Sequence, residues 1–135
     1  MIATGIFMAL AGIFNAAMDV ASFYWHESVF NNGNEKFAHF TNPKMSWMNK
    51  YKDFDPEKGP KFPGSTTIFV WTTDLWHLCK SLMLLCFAFA ILFYTPASLT
   101  SWTLVDFAIN LTIIKLCFGS MFTLFMRVLH NKKPK

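Results

Sequence analysis

Hydrophobic residues in this chain fall into three long runs, Ile2–Tyr24, Ile68–Tyr94 and Trp102–Met126. A mixed stretch at 25–67 divides the first two, and the short uncharged connection Thr95–Ser101 divides the last two. Each run reaches or exceeds the ~20 residues with which an α-helix crosses a hydrocarbon core at ~1.5 Å per residue. The pattern predicts an all-α integral membrane protein with three transmembrane helices and a long ordered cytoplasmic loop between helices 1 and 2. As a single membrane domain, 1–135, it comprises spans at 2–24, 68–94 and 102–126, a cap loop at 25–67 and a basic tail at 127–135.

The runs are interrupted by polar residues at helical spacing. Gly12, Asn15, Asp19, Ser22 and His26 follow one another at steps of three and four and share one face of the first helix. Asp74, His77 and Ser81 share a face of the second, with Lys80 beside them. Thr103, Asp106, Asn110, Cys117 and Ser120 align on the third, with Ile113 completing the row. A charge at membrane depth costs at least about 2.5–3.5 kcal/mol on insertion scales, so it normally faces protein or water. The expectation is that the three polar faces turn toward one another, and that Asn15, Asp19, Asp74, His77, Lys80, Asp106, Asn110 and Lys115 form a polar core or pathway. Lys115 lies half a turn out of phase with Asp106 and is expected to be too deep to reach the interface easily. It would pair with Asp19 or another acid, or face a second subunit. The plainer alternative is a set of internal ion pairs that fix helix register.

The histidines suggest a second kind of chemistry. Asp74 and His77 stand one turn apart and can address one point, as a general acid–base couple or as two ligands of a metal. With His26 and His39 they make a candidate site for a transition metal such as zinc, iron or manganese. The D-x-x-H spacing is weakly specific, and no H-x-x-E-H repeat accompanies it.

Composition supports a lipid-facing chain. Of 135 residues, 53% are hydrophobic, and 15% are charged, against a usual value near 25%. Lysines at 36, 44, 50, 52, 58 and 61, with Arg127, Lys132, Lys133 and Lys135, flank the runs on one side only, which predicts an outside N-terminus and a cytoplasmic C-terminus. The net charge of +4 is then a topology signal. Lysines interleaved with acids form no basic face for nucleic acid, so no such partner is expected. The first run lacks a basic leader and carries Asp19, so it is read as a retained helix and not a cleaved signal. Cys79, Cys86 and Cys117 all lie within the runs, an odd number that argues against a disulfide scaffold.

Gly5, Ala9, Gly12 and Ala16 recur at small-residue spacing that allows close helix approach in lipid. The 25–67 loop is rich in aromatic residues, which suggests a folded cap with Trp and Tyr rings at headgroup level and a short amphipathic helix around Pro43–Lys52. Ser65, Thr66 or Thr67 is the expected N-cap of the second helix. Lys132 and Lys133 stand fourth and third from the end, the pattern of a dilysine retrieval signal.

Three functions are compatible with these residues. The first, favoured because polar residues occupy all depths and not just one end, is an oligomeric proton or ion channel or transport component. The second is a membrane-embedded enzyme acting on a lipid-like substrate at the cytoplasmic leaflet. The third is an accessory subunit of a larger membrane complex. Expected partners are membrane lipids and either a homo-oligomer or a larger membrane assembly.

Overall fold

A computed structural model of the chain describes residues 1–130. It contains the helices α1 (Ile2–Phe23), α2 (Glu35–Thr41), α3 (Leu75–Leu92) and α4 (Thr103–Leu129), with short 3-10 turns between α1 and α3. Among the described residues there is no strand; Ser28 bridges to His130 and Tyr51 to Pro60 as isolated pairs. α1, α3 and α4 are each long and apolar enough to cross a membrane.

The three long helices form a layer and not a closed bundle. α1 lies in the middle and packs along both α3 and α4, whereas α3 and α4 scarcely touch each other. Phe87 of α3 and Phe118 of α4 reach across at 6.2 Å between ring centroids. The expectation that three polar faces converge is therefore corrected, because two of the three helices have no shared seam.

The sequence of α1 explains its central place. Its flank toward α4 carries glycine where the backbones meet. A Cβ at Gly12 would collide with the Phe118 carbonyl oxygen and stand 3.1 Å from the Phe122 amide nitrogen. At Gly5 an added Cβ would touch the Cys117 sulfur at 3.4 Å. Close backbone approach of this kind supplies the dispersion contact that joins helices where burial of apolar surface gives little. Toward α3 the contact is aromatic: Phe7 stacks on Phe89 at 5.2 Å and on Phe93 at 5.8 Å. α4 keeps most of its surface free, and Leu104, Phe107, Leu111, Leu116 and Val128 are all exposed.

Both ends of the layer are stapled. At the Met1 end, the terminal ammonium donates to the Thr95 carbonyl at 2.9 Å, and the Thr4 hydroxyl donates to the Phe93 carbonyl at 3.2 Å. At the other end, His130 lies 4.6 Å from the Tyr24 ring and its Nε2 is 3.0 Å from Glu27 Oε2. Val20, Ala21 and Phe30 form a small core there, packed by Trp25, Leu75, Met126 and Leu129.

Over that end lies the segment 24–74, the cap. Asn34 accepts the Phe37 amide through Oδ1 at 3.0 Å and starts α2. Only Ser46–Lys50, as a 3-10 turn, occupies the place of the amphipathic helix expected around Pro43–Lys52. The Asn49 amide donates to the carbonyls of His39 and Thr73, both at 2.8 Å, and so ties α2, this turn and the start of α3 together. Ser65 is fully buried and donates to the Lys50 carbonyl at 2.7 Å. Its hydroxyl is thereby committed to the cap. The second long helix accordingly begins at Leu75, not at 68, with Asp74 as its N-cap. α4 runs on to Leu129, almost a turn beyond the sequence expectation. The tail residues Lys132, Lys133 and Lys135 lie outside the described residues.

The packing predicts opposite signs for two alanine substitutions. Gly12→Ala places a methyl group against backbone and is expected to destabilise the isolated protein by about 1–3 kcal/mol. Gly119→Ala meets nothing within 4 Å and is expected to stabilise α4 by up to about 1 kcal/mol through helix propensity. Thermal melts in detergent, followed by circular dichroism, compare the two directly.

Candidate functional site

The candidate polar residues separate into three places, each built differently. At the start of α3, Asp74 is 2% exposed. Its Oδ1 accepts the His77 amide at 2.9 Å, and its Oδ2 lies 2.7 Å from His77 Nδ1. The Thr73 hydroxyl oxygen lies 3.4 Å from Oδ2 while its proton goes to the Val70 carbonyl at 2.7 Å. The D-x-x-H spacing thus does bring both side chains to one point, and the arrangement closes a helix N-terminus whose amides otherwise lack partners.

At the start of α4, Asn110 is 1% exposed and holds the connection that precedes it. Its Oδ1 accepts the Ala97 amide at 2.9 Å, while its Nδ2 donates to the carbonyls of Ala97 at 2.8 Å and Asp106 at 2.7 Å. Asp106 Oδ1 accepts the amides of Leu99 at 3.1 Å and Thr100 at 2.8 Å, and the Thr100 hydroxyl at 3.0 Å. Two residues read as pathway positions therefore order the Thr95–Trp102 turn. A turn at the edge of an apolar layer has backbone groups that must be paired, and these side chains pair them.

The third place is the strip of α1 between its two seams. Thr4 and Phe7 meet α3, and Gly5 and Gly12 meet α4. Counted at ~100° per residue, Asn15 and Asp19 fall between those flanks, in the cleft that α3 and α4 leave open. Both are partly buried, and among the described residues neither side chain makes a hydrogen bond.

The lysines stand apart from all three. Lys80 is exposed, with its ammonium 4.6 Å above the Trp76 ring. Lys115 is exposed on α4, and among the described residues no acid lies within ion-pair distance of it. The expected pairing of Lys115 with Asp19 is not formed. Helix register explains this. α1 runs parallel to α4, with Gly5 beside Cys117 and Tyr24 beside His130, so Lys115 lies near the start of α1 and Asp19 near its end. Lys115 is also only about 7.5 Å along the helix from Asn110, which holds the turn next to the Met1 ammonium.

The metal set is not assembled. His26 is exposed and packs edge-on to Trp25 at 5.1 Å. His39 lies on α2 against Phe54 at 5.0 Å, and its Nδ1 is buried without a partner. Among the described residues no three of His, Cys, Asp and Glu converge on a common point. Asp74 and His77 remain a pair, and a pair is a poor cage for zinc, which takes three or four protein ligands.

Several residues important to the geometry carried no sequence signal as site residues. Asn49 reads as one of several loop asparagines, and its double bond to α2 and Thr73 depends on long-range folding. His130 reads as part of a basic tail, yet it joins α4 to Glu27 and Tyr24.

The fold and these sites define a small all-α protein with three helices suited to crossing a membrane, an open helix layer and a folded cap at one end. Comparison with protein-family models, with curated proteins and with solved structures finds no match.

Asn110→Leu is expected to strip the Ala97 amide and carbonyl of their partners, at about 1–3 kcal/mol for each buried group left unpaired. Asp106→Asn keeps an oxygen able to accept the same three bonds and is expected to fold normally. Limited proteolysis of the Thr95–Ser101 turn, beside thermal melts, distinguishes the two variants. Equal protection of the turn in wild type and Asn110→Leu would refute its assigned role.

Proposed function

We propose that this protein is an accessory subunit of a larger membrane complex, embedded through α1, α3 and α4, with α4 offering its outer face to a helix of a different chain. The observation that carries this reading is the groove of about 830 Å³ along α4, lined by Thr112, Lys115, Gly119, Ser120, Thr123 and Arg127 among others. Small and hydroxylated residues at helical spacing permit close approach of another helix and hydrogen bonds to it. The groove contains two cations and no acid. A partner helix bearing a carboxylate level with Lys115 complements it. A second copy docked face to face about an axis along the membrane normal would set Lys115 against Lys115 and Arg127 against Arg127, which disfavours self-association by this face. The cap lysines and Arg127 share one end of the layer, and their distribution supports a cytoplasmic cap and C-terminus with the N-terminus outside.

A proton or ion pathway is the second reading, and one observation favours it: Asn15 and Asp19 lie unpaired in the cleft between α3 and α4. Polar groups farther along, at Asp106 and Asn110, are occupied with the turn they hold. Conduction would thus require residues from a partner to complete the path.

A photo-crosslinking side chain at Thr123 tests the proposal in native membranes, with the same group at exposed Ile6 on α1 as the control. The expected result is one defined adduct with a different polypeptide from position 123, lost in the Lys115→Leu background while the isolated variant keeps its melting temperature. Adducts to lipid alone, or to a second copy of the chain, would overturn it.

A further inference from the structure

The cap contains a pocket that neither the helix layer nor its proposed partner uses. Its volume is about 320 Å³, and Lys36, His39 and Lys61 bring the polar chemistry while Phe40, Phe54 and Phe62 supply apolar wall. Among the described residues neither lysine has a carboxylate within ion-pair distance. The nearby Asp53 is engaged with Lys58 at 3.0 Å, where its carboxylate holds the Lys58 ammonium above the usual lysine range. The Lys61 ammonium lies 5.8 Å from the centre of the Phe54 ring, and the same ring packs tilted against His39.

A tally of the remaining donors narrows the ligand. Thr72 and Thr73 also line the pocket, but their hydroxyls donate to the Phe69 and Val70 carbonyls. The Asn49 amide is spent on His39 and Thr73. Donors free for a guest are thus the two ammonium groups and the imidazole. His39 Nδ1 is buried without a protein partner, a state that costs free energy unless a ligand or solvent group completes it. Phe54 is held at φ 60, a left-handed conformation rare for a bulky residue, and its ring forms the wall between His39 and Lys61.

We infer that this pocket is a phosphate-recognition site, with Lys36, Lys61 and His39 holding the anion and the phenylalanine rings covering the apolar part of the molecule that bears it. Two cations and a neutral or protonated imidazole around a space without carboxylates match the charge and acceptor-rich surface of a phosphate ester. Thr73 in the pocket wall immediately precedes Asp74, the N-cap of the apolar helix α3, so the site lies level with the point where α3 leaves the cap. That level suits the headgroup of an anionic phospholipid. A free phosphorylated solute offers the same chemistry from the aqueous side.

Native mass spectrometry of the delipidated full chain in detergent tests the site with three probes: dioleoyl phosphatidic acid, dioleoylglycerol and inorganic phosphate. The wild type is expected to retain phosphatidic acid and not dioleoylglycerol, and Lys36→Ala/Lys61→Ala is expected to weaken retention at least tenfold. The control Lys44→Ala/Lys52→Ala removes the same charge from elsewhere on the cap and is expected to bind as wild type does. Competition by inorganic phosphate would assign the site to phosphorylated solutes as well, whereas retention of phosphatidic acid alone would assign it to lipid; both support phosphate recognition. Equal loss in the two double variants would reduce the effect to general charge attraction and overturn the site. Equal retention of dioleoylglycerol, or no binding of either phosphate probe, would overturn it too.

Discussion

The backbone contact between α1 and α4 at Gly12 sets the positions of the other helices. It brings the two helices close enough that any side chain would collide with the Phe118 carbonyl, and it fixes them parallel in a register that pairs Gly5 with Cys117. With one flank of α1 taken up by α4, the other flank meets α3 through the Phe7, Phe89 and Phe93 stack. Nothing comparable joins α3 to α4. An open layer results, and the cleft over Asn15 and Asp19 and the free outer face of α4 both follow from it.

Within that layer, most polar residues at the helix ends act as joints. Asp74 closes the first turn of α3, Asp106 and Asn110 hold the connection before α4, and His130 fastens the end of α4 to Glu27. The pattern suits a chain whose three long helices are apolar enough to cross a membrane. Where water is scarce, each turn amide and carbonyl needs a partner from the protein, and a carboxylate or carboxamide can serve several at once. Asn110 illustrates the economy, since one side chain satisfies both backbone groups of Ala97. Among the candidate pathway residues, Asn15, Asp19 and Lys115 are left without such a task.

The helical class and the three long helices were legible in the sequence because length and apolar periodicity are local properties. The Asp74–His77 pairing was legible for the same reason, being one turn apart. The meaning of that pair was not, because a D-x-x-H spacing serves an N-cap as well as it serves a metal. α3 starts later than the sequence suggests because Ser65, Thr66 and Thr67 are good capping residues, and only the tertiary fold commits Ser65 to the Lys50 carbonyl. α2 is not legible in the sequence although Asn34 followed by Glu35 is a reasonable helix start; its seven residues are too few for apolar periodicity to register. Convergence of the polar stripes failed for a deeper reason. A stripe shows which face of a helix is polar, but whether three faces meet depends on which helices share seams, and here that is decided by glycine at one point.

The open layer in lipid is tested most directly by a nitroxide scan along α4 of the isolated chain in bilayers, with Cys79, Cys86 and Cys117 replaced by serine. Collision with oxygen reports contact with lipid, and collision with a nickel chelate reports contact with water. The expected result is high oxygen accessibility at Leu116, Gly119 and Thr123, with low accessibility to both reagents at Ile114, Phe118 and Phe122, which face or flank α1. Uniformly low oxygen accessibility around the helix would mean that α4 is enclosed in the isolated protein, and high nickel accessibility at Leu116 and Gly119 would mean that it does not lie in the bilayer. Either result would contradict an open membrane layer.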